Sequence, residues 1–204
     1  MRSYITKIFF TLILAFLVVT PAYANDSATD FVRSKTDEIV RVINTSKDKN
    51  ARLKKLKTAL QSTLDYDLLA QRTLARHWEN LNAKQQNDFT EALRDLLETS
   101  YVTKLGNKTV EPGSYSVQFL NERERRGRYT VETVVKAEKD AHNIDLRLQN
   151  TDGVWKIYDV ITDDVSLEES YAESFDEIIR DKGFNELMKR IKDKTDELKK
   201  SGKK

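Results

Sequence analysis

Two histidines, scattered carboxylates and a knot of arginines are the side chains from which this chain could build chemistry. His77 and His142 lie in different elements, with no second ligand at a fixed spacing from either, so neither reads as a metal ligand or half of an acid–base pair. No Gly-rich phosphate loop, no Ser-centred G-x-S-x-G elbow and no His-Glu-x-x-His helix occurs. The absence of cysteine removes thiol catalysis, disulfides and cysteine-ligated metals together. Asp159 stands inside the most apolar stretch, Val154 to Ile161 (VWKIYDVI), and a carboxylate there needs a partner. A helix N-terminus or an arginine would satisfy it without catalysis. Arg123, Arg125, Arg126 and Arg128 fall at a predicted strand turn, where they can meet an anionic headgroup, an acidic partner or only water. No active site emerges, and the expectation is a protein that is not an enzyme and needs no cofactor or metal.

The elements that hold these residues follow three stretches. Ser27 to Leu105 has helical periodicity: Phe31, Ile39, Val42 and Ile43 share one face, and Leu53, Leu56 and Leu60 share another. Leu68, Leu69 and Leu74 follow. From Ala83 to Leu105, Phe89, Leu93, Leu96, Leu97, Tyr101 and Leu105 recur at three- and four-residue spacings, and Gly106-Asn107 closes the helix. Thr109 to Asp163 switches to a period of two, with Tyr115/Val117/Phe119, Tyr129/Val131/Thr133/Val135 and Ile144/Leu146/Leu148 each alternating with polar residues. Together with Val154 to Ile161 these predict a four-stranded antiparallel meander with one buried face. The last strand is apolar on both faces, which places it centrally or under helices. Val165 to Leu198 is helical again, with eight acidic and no basic residues between Ile157 and Ile179, and ten basic against five acidic from Arg180 onward. Such runs read first as solvated faces.

Ahead of these stretches, Arg2 and Lys7 precede an uncharged run from Ile8 to Val19, and Pro21-Ala22-Tyr23-Ala24 ends in a small-x-small pattern. That is the build of a cleaved secretory signal peptide over residues 1–24, and the apolar run is too short to span a bilayer. The predicted mature part, residues 25–204, is expected to form one exported domain. The leader carries two of the 35 Lys+Arg and none of the 33 Asp+Glu, leaving 33 of each sign. A zero balance argues against a general nucleic-acid binder.

The run Asp152 to Val160 (DGVWKIYDV), then Asp164-Val165-Ser166-Leu167, Tyr171 and Phe175, resembles the signature of the toluene-tolerance family. These are MlaC-type periplasmic phospholipid carriers of the Mla (maintenance of lipid asymmetry) pathway. Leu74-Ala75-Arg76-His77-Trp78, the helix from Phe89 to Leu105 and Gly183 to Leu187 (GFNEL) resemble further family pieces in the same order. The chain departs from the family where Asp164 replaces a usual glycine, where Ala172 replaces a frequent arginine, and at Glu168 and Glu169.

The resemblance implies an α+β fold: an NTF2-like curved antiparallel sheet wrapped by helices around an apolar cavity that holds diacyl phospholipid. It implies exchange with an outer-membrane lipoprotein complex (MlaA-type) and an inner-membrane MCE-domain transporter (MlaD-type). Cavity lining is expected from Leu97, Tyr101, Val117, Phe119, Val131, Val135, Leu146, Trp155, Ile157, Val165, Tyr171 and Phe175. Alternation fixes which strand residues share a face but not which face turns inward. If the lining is right, Val131→Trp should fill the cavity with little loss of folding. Three other readings stay open: a carrier of hopanoid or another lipid, an envelope interaction protein with a solid core, and an NTF2-like small-cavity enzyme, which would need a carboxylate and a histidine or arginine converging inside. A monomer is the default expectation.

Overall fold

Helix starts are written in side-chain acceptors. Ser27 accepts the Asp30 N–H (3.0 Å), Asp48 that of Ala51 (2.7 Å), Asp65 that of Leu68 (2.9 Å) and Ser166 that of Glu169 (3.0 Å). Asn82 and Gln85 cap each other reciprocally, each accepting the other's backbone N–H at 3.0 Å. These caps open α1 (Ala28–Thr45), α2 (Lys49–Thr63), α3 (Tyr66–Leu74), α4 (Ala83–Gly106) and α5 (Leu167–Lys182). A 3-10 turn, Ala75–Asn80, joins α3 to α4, and α6 (Phe184–Ser201) closes the chain. The computed structural model describes residues 27–107, 115–137 and 140–201. The expected signal peptide, the first residues of the expected sheet stretch from Thr109, and the end of the C-terminal tail lie outside the described residues.

The strands β1 (Tyr115–Arg125), β2 (Arg128–Ala137), β3 (Asp140–Thr151) and β4 (Val154–Thr162) pair in chain order as an antiparallel meander. The sequence predicts four strands; a fifth, β5 (Val165–Ser166), adds two residues to the edge of β4. Asp163 (φ 48°) and Asp164 (φ 68°) turn the chain between β4 and β5 in the left-handed region. Aspartate is among the few side chains that tolerate that conformation. β4 is near the edge rather than central, and its second apolar face is accounted for by α2, α3 and α5, which pack on it. Gly106 ends α4 as the sequence suggests, but its reason is proximity. A Cβ there would collide with Leu53 Cδ2 on α2.

Among the described residues no helix is long and apolar enough to cross a membrane.

Candidate functional site: an apolar seam between sheet and helices

Three apolar clusters build the interior. The first joins α3 to α6, where Phe89, Leu93 and Leu187 are 0% exposed and Phe89 meets Phe175 edge-on at 5.7 Å. The second sets Ala28 and Val32 of α1 on Val131, Leu148, Trp155 and Ile157 of the sheet, with Tyr129 edge-on to Trp155 at 4.7 Å. The third packs Val42 and Ile43 of α1 on Leu56 and Leu60 of α2 and Val102 of α4. Leu64 touches all three, and Tyr101 touches the first and third.

At the margins of the clusters the large apolar side chains stop being fully buried. Leu64, Tyr101, Leu105, Phe119, Leu146, Val160, Leu167 and Tyr171 are all half-buried. The main neighbours of α4 are α6, α2 and α3, and its Tyr101–Leu105 end packs against the first and third clusters. Burial raises the hydroxyl pKa of Tyr101, and burial followed by the nearby Tyr101 charge raises that of Tyr171. Both therefore stay neutral and amphipathic at physiological pH. A mostly apolar seam with neutral hydroxyls at its edge suits a lipid tail better than an ion.

The register settles which sheet face turns inward. Val117 pairs with Val135, Val131 with Leu146 and Leu148 with Ile157, so these share the face that meets α1. Of the expected lining residues, Val131, Trp155 and Ile157 are buried in the sheet cluster, with Phe119 and Leu146 packed against it. Leu97 and Phe175 are buried in the helical cluster, with Tyr101 and Tyr171 at its edge. Val117 and Val135 are half-buried at the far end of the same sheet face. Val165 stands apart, 63% exposed. Its neighbour Ser166 turns inward to donate to Asp159, and strand alternation sends Val165 to solvent. Val131 is 0% exposed within close-packed neighbours, so tryptophan there would overpack a filled region rather than fill an empty one. Leu64 is absent from the sequence-based set, although Leu56, Leu60 and Leu64 continue one four-residue spacing. Its pairing with Ile157, beside the Asp65 N–H to Ile157 C=O bond (2.8 Å), depends on tertiary contact.

The polar groups of the β4–α5 junction are consumed structurally. Asp159, 1% exposed, accepts from Ser166 Oγ (2.7 Å), from the Glu168 backbone N–H at the start of α5 (2.9 Å) and from Arg147 (3.1 Å). Both anticipated partners, a helix N-terminus and an arginine, are present at once. Glu168 pairs with Arg72 at 2.6 Å, and the Arg72 guanidinium lies 5.1 Å from the Tyr158 ring centre. Burial works against the Arg72 charge, but the Glu168 hydrogen bond and charge outweigh it and raise its pKa. His77 bonds Asp176 and His142 bonds Asp163, each at 2.8 Å and each near the surface. No group of three or more metal-binding side chains occurs among the described residues.

The family model described as MlaC protein matches residues 33–193. A solved structure of a phospholipid-binding protein from Ralstonia solanacearum, in complex with a phospholipid, superposes with a TM-score of 0.74 at 20% identity. The match covers 85% of this chain and 99% of that one, and it shares the arrangement of helices around the antiparallel sheet. No curated protein matches the sequence. The MlaC match runs from the second turn of α1 to the middle of α6, and on it the chain belongs to the MlaC family.

Proposed function

We propose that this protein carries phospholipid through the periplasm, taking the acyl tails into the seam between sheet and helices and leaving the headgroup toward water. It acts after removal of residues 1–24, as one domain, and without a catalytic step. The observation that carries this reading is the run of half-buried apolar side chains meeting at Leu64 and Tyr101, in a chain of the MlaC family. The phospholipid held by the Ralstonia solanacearum protein of the same fold supports the cargo class. The outer-membrane lipoprotein complex and the inner-membrane MCE-domain transporter are its proposed exchange partners, and their exchange maintains outer-membrane lipid asymmetry.

The energetics explain why such a carrier is needed. Burial of one CH₂ is worth ~0.8 kcal/mol, so a tail of about sixteen carbons entering water costs on the order of 12 kcal/mol, and two tails about twice that. A protein that matches most of this burial converts a large barrier into exchange between near-equal wells, which asks for differential binding and no reacting group. The enzyme alternative lacks support in the geometry. His142 pairs in register with Val135 and so sits on the inner sheet face, but at its exposed rim and tied to Asp163.

Fluorescent phospholipid moving from donor to acceptor vesicles tests the proposal. Catalytic amounts of the protein should accelerate transfer in proportion to protein concentration; transfer at the spontaneous rate would refute it.

A further inference from the structure

The outer face of the sheet gathers arginines in a way the seam does not use. The register sets Arg123 beside Thr130 and Thr130 beside Arg147, with Arg125 beside Arg128 in the row toward the hairpin tip. Together with Arg126 at the tip they line a recess of about 760 Å³ that also includes Tyr158. The chain has 21 lysines and 14 arginines, yet five arginines and no lysine line this recess. Arg123 is paired with Glu132, and Arg147 with Asp159 and Glu169. The side chains of Arg125, Arg126 and Arg128 have no ion-pair or hydrogen-bond partner among the described residues. The one carboxylate in the lining, Glu124, is occupied by the Gly127 N–H at 2.7 Å.

Guanidinium groups present planar forks that bind oxyanions through paired hydrogen bonds, which ammonium groups do not. A tetrahedral phosphate offers more acceptor positions than a carboxylate. Here arginines come from three strands and a turn, with Thr130 and Tyr158 in the lining besides. We infer that this recess is a binding site for a phosphate group, presented either by a lipid headgroup at a membrane surface or by a soluble phosphate compound. It lies on the sheet face opposite the apolar seam and does not depend on cargo being held there.

Two probes distinguish the sources: inorganic pyrophosphate by calorimetry, and co-sedimentation with phosphatidylglycerol-containing vesicles against pure phosphatidylcholine. The triple variant Arg125→Ser, Arg126→Asn, Arg128→Ser should weaken binding about tenfold or more. A surface control, Lys189→Ser, Lys192→Ser, Lys194→Ser on α6, should leave it unchanged. Arg126→Asn alone, at a position whose φ of 54° suits asparagine, is the second variant if the triple one does not fold, and should weaken binding in the same direction. Binding of both probes establishes a phosphate site indifferent to source; vesicles alone assign it to headgroups, and pyrophosphate alone to a soluble ligand. The inference is overturned if neither probe binds, if both triple variants lose binding equally, or if polyglutamate binds as tightly as pyrophosphate and marks a surface for an acidic protein.

Discussion

The helical cluster and the inner sheet face use the same residue types to opposite ends. Around Phe89 and Leu93, α3 to α6 close on one another and leave side chains 0–1% exposed, as at Leu97 and Leu187. Across the seam, Leu146, Val160, Phe119 and Tyr101 are just as apolar but only half-buried. The first region is filled, and its apolar content stabilises the fold. The second leaves part of its apolar surface uncovered, and that part contributes burial energy only when another apolar group covers it. Composition cannot separate the two. The difference lies in whether a helix faces each side chain closely.

The largest effects should fall in the filled region. Phe89→Ala removes a fully buried ring packed edge-on to Phe175 and should cost about 3–5 kcal/mol in denaturant unfolding. A loss as small as that of an exposed-site control would break the contrast. Asp159→Ala should be nearly as costly, roughly 3 kcal/mol, because it takes the buried acceptor from the Glu168 N–H at the start of α5 and from Ser166 Oγ, and leaves Arg147 with Glu169 alone. A change within about 0.5 kcal/mol, the range of an ordinary surface substitution, would show that the junction does not hold β4 to α5.

At the seam the expectation reverses. Leu146→Trp should reduce phospholipid retained after purification at least twofold, with a stability loss below that of Val131→Trp, expected at about 1–3 kcal/mol from overpacking. Equal lipid content in Leu146→Trp and the parent would remove Leu146 from the lining.

The smallest effect belongs to the rim. The Asp163 hydrogen bond and then its charge raise the His142 pKa, while the His142 hydrogen bond and then the Asn143 N–H lower that of Asp163. A raised histidine contributes fully below its ordinary 6.5 and is lost as pH climbs through the raised value. A lowered aspartate contributes fully above its ordinary 3.8 and is lost as pH falls through the lowered one. The pair is therefore whole between those limits. Proton NMR should show His142 titrating above 6.5, and Asp163→Asn should bring it back down; an unmoved midpoint would dissolve the pair.

The sequence carried more of the fold than of the site. Period-two and period-3.6 spacings locate every long strand and helix, because each buries one face against a neighbour and must repeat accordingly. The two-residue β5 is too short to show a period. The need for a partner at Asp159 was legible from one carboxylate in VWKIYDVI, and both of its partners came from elements next to it in the chain or sheet. The inner lining was legible only as sets of residues sharing a face. Val165 shares a pattern with its apolar neighbours yet turns outward, because Ser166 is drawn in by Asp159. Leu64 was missed as the point where three clusters meet, since its pairing with Ile157 is a contact between residues distant in the chain.

The central claim is that the reserved apolar surface is covered by lipid. Native mass spectrometry of the protein isolated from a periplasmic extract, followed by organic extraction and lipid identification, tests it most directly. The account predicts a stoichiometric mass increment equal to phospholipid. A bare protein mass that stays bare after incubation with liposomes would contradict it and leave the seam as merely loose packing.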